Sequence, residues 1–146
     1  MNEDGSPLPA YEPGQYISIR VKVPGEEYLM NRQYTLSQAT AEQGYRISVK
    51  RESDHTPNGK VSNFIHDVLQ VGDLVDVSVP AGLFVLEETS TPITFVSGGI
   101  GVTPLNSMLQ SLKDDAANEV NFIQCARNEN VIAFSDDIQE KNKYPS

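Results

Sequence analysis

From residue 16 to residue 23, Ile17, Ile19, Val21 and Val23 alternate with Ser18, Arg20 and Lys22. Successive side chains of a strand point to opposite faces, so this period of two predicts a strand with one dry face. Pro13-Gly14 before it and Pro24-Gly25 after it supply the turns. Residues 45–51 and 74–79 alternate in the same way, and a corner at Pro80-Ala81-Gly82 leads into residues 83–86. Between these strands the period changes. Val61, Phe64, Ile65, Val68 and Leu69 fall at the spacing of one helical face and predict a short amphipathic helix after the polar turn at residues 52–59.

After residue 92 the pattern shifts again. Residues 93–96 are nearly continuous in apolar character, which predicts a strand covered on both faces, and residues 120–126 read as a second one. Between them Leu105, Met108, Leu109 and Leu112 mark a helix whose first position suits Pro104, since proline has no N–H to leave unpaired there. Ser135-Asp136-Asp137 caps a third helix. The order β-α-β-α is the opening of a doubly wound α/β domain. We place a boundary at residues 88–92, giving one unit over 1–90 and a second over 91–146. Doubly wound sheets usually have about five or six strands, so the expectation for the second unit is a truncated domain.

Composition narrows the functional classes. Eleven basic against twenty acidic residues give a net charge of −9, which repels a polyanion and argues against nucleic acid as a partner. No apolar run approaches the length of a membrane span and the first residues lack the features of a signal peptide, so a cytoplasmic protein is expected. The single Cys125, inside an apolar run, is expected to be a buried filler, and neither His55 nor His66 has metal ligands at suitable spacing.

Three stretches carry candidate chemistry. Arg32-Gln33-Tyr34-Thr35-Leu36-Ser37 places a guanidinium, an aromatic ring and hydroxyls along one extended segment. A flavin dinucleotide asks for such groups: a cationic fork for the pyrophosphate, an aromatic wall for the ring and a small hydroxyl near N5. Gly59-Lys60-Val61-Ser62 opens the amphipathic helix, where free N–H groups and the helix dipole favour an anion. Gly98-Gly99-Ile100-Gly101-Val102-Thr103-Pro104 is a glycine-rich strand-to-helix turn of the kind that approaches a pyrophosphate, although Pro104 stands where a third fingerprint glycine would be. Each stretch alone also suits an ordinary strand, cap or turn; their conjunction points to a flavin and a nicotinamide.

Beyond these stretches, the chain resembles the reductase portion of the flavohemoglobins, within the ferredoxin-NADP reductase superfamily. The resemblance is carried by Pro13-Gly14-Gln15-Tyr16, Arg32-Gln33-Tyr34-Thr35-Leu36, residues 45–52, Val61-Ser62-Asn63, Pro80-Ala81-Gly82 and residues 99–104. It implies a six-stranded antiparallel Greek-key β barrel that binds FAD, followed by the first half of an α/β doubly wound nicotinamide-binding domain. It further implies FAD contacts from Tyr16, Arg32, Gln33, Tyr34 and Thr35, with Lys60, Val61 and Ser62 by the pyrophosphate. Gly99, Ile100, Gly101, Val102, Thr103 and Pro104 would hold NAD(P)H. Thr35 stands where the family usually has serine, and its hydroxyl would face flavin N5 as the catalytic contact.

In such proteins hydride passes from the nicotinamide to the flavin, and electrons then reach a haem in an N-terminal globin domain that dioxygenates nitric oxide. This chain carries no globin, so haem is expected only in a full-length parent, and hydride transfer in the chain itself is expected to be weak. A globin-free flavin reductase, an electron-transfer subunit of an oxygenase and a non-redox binding module are the competing readings. Arg127, near the end of the second α/β strand, is a candidate for meeting a 2′-phosphate, while an ordinary solvated loop arginine is the simpler reading. The unpaired edge of a short sheet also predicts self-association.

Overall fold

The computed structural model describes residues 5–42, 44–54, 56–87, 90–112 and 119–141. His55, the boundary residues Glu88 and Thr89, and both chain ends lie outside them. In chain order the elements are β1 (Tyr16–Val21), β2 (Met30–Thr35), α1 (Lys60–Asp67), β3 (Asp76–Val77), β4 (Ile93–Gly98), α2 (Val102–Ser111), β5 (Val120–Cys125) and α3 (Ser135–Lys141). Short 3-10 turns at Gly99–Gly101 and Glu129–Val131 precede α2 and α3.

β1 is the centre of a three-stranded antiparallel sheet in the order β2-β1-β3. Its alternation is realised as expected: Ile17, Ile19 and Val21 are buried and pack with Leu36 and Val61, flanked by Tyr34, Ile47, Phe64 and Ile65. The ladder is extended beyond the strands by Leu36 N–H donating to the Gln15 carbonyl at 2.9 Å and by a two-way bridge between Tyr16 and Ala81.

Several predicted strands are shorter. Over residues 45–51 the pairing is a single bridge from Ile47 to Leu36. The segment is held largely by side chains: the Arg46 guanidinium on the Ser37 carbonyl, His66 Nε2 on the Val49 carbonyl and a two-pronged Arg51–Asp67 pair. The Arg51 hydrogen bonds hold the Asp67 carboxyl below its ordinary range. Residues 74–79 contribute only Asp76 and Val77, because Ser78 adds one backbone bond to Ser18 and then spends its hydroxyl on the Ser18 N–H. Residues 83–86 form no strand, and Leu83 is fully exposed. The described residues therefore give an antiparallel sheet with added bridges, without a closed barrel among them.

Tyr11 closes one side of this unit. Its one hydroxyl proton is shared between the carbonyls of Gln38 at 2.6 Å and Thr40 at 3.0 Å, and its ring meets Tyr45 edge-on at 5.7 Å. Burial raises its pKa to about 12, against an opposing pull from Arg46. In the unfolded chain the phenol ionises near ~10. The native state then holds a proton that the unfolded state has released, so stability falls as pH rises from about 10 toward 12. Denaturant midpoints measured across that range should fall in the parent chain and fall less in Tyr11→Phe; parallel curves would contradict this assignment.

The second sheet pairs β4 with β5 in parallel, register Ile93↔Val120 through Gly98↔Cys125. Both strands alternate instead of being covered on both faces. Ile93, Phe95 and Ser97 are buried under α2 and α3, whereas Val96 and Ile123 face out, 63% and 51% exposed. The reason is geometric: the two described helices of this unit lie on one face, which packs Leu105, Met108, Leu109 and Ile138 into a core with Phe95. Cys125 follows the same alternation and is exposed, correcting its expected role as a buried filler. The stripe of α1 also ends early: the helix stops at Asp67, so Val68 is exposed. Pro104 occupies the third helical position of α2, still within the turn whose N–H groups lack intrahelical acceptors.

Candidate functional site

Register fixes how the first stretch is presented. Tyr16 lies opposite Thr35, Ile17 opposite Tyr34, Ser18 opposite Gln33 and Ile19 opposite Arg32. Directly opposed residues of an antiparallel pair share a face. Tyr16, Thr35, Gln33 and Ser18 therefore stand together on one side, and Tyr34 packs with the core on the other. Arg32 shares the face of Tyr34, but its long stem carries the guanidinium to the surface, where Nη1 donates to the Asn31 carbonyl at 2.7 Å. Tyr34 and Thr35 are half-buried, Arg32 and Gln33 exposed. Burial raises the Tyr34 pKa above the ordinary phenol value, against an opposing pull from Arg32. The ring of Tyr16 lies against Gly82, where an added Cβ would come within 3.1 Å of it.

The second stretch is only partly free. No side chain caps α1 at Gly59, which leaves the first amides of the helix available to an anion. Lys60 pairs with Glu26 at 2.6 Å, and Val61 is core. Ser62 is buried and structural: its hydroxyl donates to the Gly59 carbonyl and accepts from the Glu52 N–H.

The third stretch is open. A Cβ placed at Gly98, Gly99 or Gly101 would meet nothing within 4 Å, so a ligand can approach the bare backbone there. Gly99 has φ +52, the left-handed region where glycine is unstrained. Thr103 is buried with its hydroxyl on the Ile100 carbonyl at 2.8 Å, and Val102 is fully buried. These two residues shape the turn from below, while Gly99, Ile100 and Gly101 present it.

This turn opens into a cleft of about 860 Å³. One wall is Gly99, Ile100, Cys125, Ala126 and Arg127; the other includes Ser48, Val49, Lys50 and Asp54 from the first unit. The cleft lies outside the carboxyl ends of parallel strands, the usual ligand position in open α/β sheets. Arg127 reaches across it to Asp54 at 3.3 Å. The first unit's share of this wall was not legible in sequence: residues 48–52 belong to a stretch that carries the family resemblance, but nothing local to them says that they face the glycine turn. The bare turn, the uncapped helices and the half-buried tyrosine fit a flavin and a dinucleotide. Among the described residues no cluster of His, Cys, Asp and Glu suits a metal ion, and no helix is long and apolar enough to cross a membrane.

Comparison with known proteins agrees with this geometry. Residues 8–86 match the oxidoreductase FAD-binding domain and residues 95–146 the oxidoreductase NAD-binding domain. The flavohemoprotein of Bacillus cereus is 45% identical over 140 residues, covering 94% of this chain and 35% of that protein. The chain thus spans about a third of the length of the curated relatives it matches. Among solved structures, the flavohem-like FAD/NAD binding domain of nitric oxide dioxygenase from Vibrio cholerae superposes with a TM-score of 0.87 at 34% identity, covering 95% of this chain and 59% of that one. The flavohemoglobin of Malassezia yamatoensis, with bound FAD and haem, gives 0.81 at 28% identity, covering 97% and 37%.

Proposed function

The chain belongs to the oxidoreductase FAD-binding domain family, and from that premise we propose that it is the flavin and nicotinamide portion of an NAD(P)H-dependent flavohemoglobin. In this reading residues 1–90 form the FAD unit, a Greek-key barrel of which β1, β2 and β3 are part, and residues 91–146 form the nicotinamide unit, with the boundary at residues 88–92. The observation that carries it is the cleft in which the bare glycine turn of one unit faces the other, because hydride transfer requires both cofactors in one place.

Because β2 is an edge strand of the described sheet, a ligand lying along it can be met from both faces. Arg32 and the uncapped start of α1 would hold the FAD pyrophosphate, and Tyr16 and Tyr34 would bound the flavin ring from opposite faces. Thr35 would offer its hydroxyl at N5, and Gly99 to Gly101 would receive the nicotinamide dinucleotide. The bound cofactors would supply the redox chemistry, hydride passing from nicotinamide to flavin. In the whole protein, electrons would continue to a globin haem for nitric oxide dioxygenation in the cytoplasm.

The test is the visible spectrum of the purified chain, before and after adding FAD and desalting. The expected result is a flavin band near ~450 nm that survives desalting at about one flavin per chain. A chain that stays colourless and also rejects added FAD would sink the proposed seat.

A further inference from the structure

Helix α2 carries the glycine turn at its N-terminus, and its first two turns hold buried joints between the two units, beside the more exposed pairs Arg127–Asp54 at 3.3 Å and Arg46–Asp137 at 3.8 Å. Ser107, fully buried, accepts from the Gly14 N–H at 3.0 Å and donates to the Pro104 carbonyl at 2.9 Å. One hydroxyl thus links the nucleotide turn to the backbone two residues before Tyr16. Asn106, also fully buried, donates from Nδ2 to the Ser37 carbonyl at 3.3 Å, two residues after Thr35. The same amide reaches Asp137 of α3 at 3.3 Å. Adjacent residues of one helix therefore grip both chain segments of the flavin seat, the entry to β1 and the exit from β2.

The partners of Asn106 have other bonds, while the acceptor described for the Gly14 N–H is Ser107. The Ser37 carbonyl keeps Arg46 as a donor, and Asp137 keeps Gln110 at 3.1 Å. The two apolar cores share no buried residue, although Leu86 at the end of the first unit packs against the second core. Gly14 is itself fitted to close approach, since φ is +103 and a Cβ would lie 2.1 Å from the Phe84 carbonyl oxygen and 2.5 Å from the terminal methyl of Met108.

We propose that Asn106 and Ser107 are positioning residues that hold the nucleotide turn in register with the flavin seat. The purpose of this lock rests on the function proposed above; its geometry does not, and the test needs no cofactor. Residual dipolar couplings of the free chain report the orientation of each sheet separately. In the parent chain β1–β2 and β4–β5 should share one alignment tensor. In the double variant Asn106→Ala, Ser107→Ala, each sheet should keep its own chemical shifts while the two tensors diverge. A merely structural role would lower the unfolding midpoint and leave one common tensor, and that outcome overturns the proposal.

Amide exchange in the unaltered chain provides an independent decision should the double variant not fold. The Gly14 amide should exchange as slowly as those of β1. Rapid exchange at Gly14 would mean that the Ser107 bond is not held, and the proposal fails whatever the chain does with flavin.

Discussion

Gly14→Ala is expected to cost about 3 kcal/mol or more, lowering the melting temperature by roughly 10 °C. Two penalties add at this position. The φ of +103 is unfavourable for any residue with a Cβ. That Cβ would also lie 2.1 Å from a backbone oxygen, that of Phe84, which cannot swing aside as a side-chain tip would. Gly25 separates the two terms, because its φ is +84 and nothing lies within 4 Å of its Cβ position. Gly25→Ala should cost only about 1 kcal/mol, the backbone part alone. Thermal or denaturant unfolding of both variants decides the point: equal losses would mean that the close approach at Gly14 does not exist.

Arg32→Gln should behave in the opposite way, leaving stability unchanged within about 0.5 kcal/mol while weakening FAD binding about 10- to 100-fold. The guanidinium is exposed, and the one hydrogen bond described for it goes to the neighbouring Asn31 carbonyl, so folding loses little with it. A pyrophosphate, by contrast, would lose charge-assisted bonds worth ~1.5–3 kcal/mol. Flavin fluorescence titration measures the binding and urea unfolding the stability. Unaltered affinity would remove Arg32 from the seat, whereas a matched fall in stability would make its role structural.

Local chemistry determined a good part of this protein. The alternation of residues 16–23 placed Ile17, Ile19 and Val21 in the core, because period two admits one buried face. The glycines at 98, 99 and 101 marked an open turn, because a residue without a Cβ leaves its backbone bare. The motif residues were enough to identify the family. Tertiary structure decided what depends on neighbours distant in the chain. Whether an apolar strand is covered on one face or two is set by where helices pack, so Val96, Ile123 and Cys125 lie open although their strands read as buried. Residues 45–51 alternate like a strand, yet much of their hydrogen bonding goes to side chains of Arg46, His66 and Asp67. The cleft wall at residues 48–54 and the joints at Ser107 and Asn106 arise from contacts between separate units, spanning up to 93 residues of chain. No local period encodes such contacts, because the partners meet only after both cores have formed.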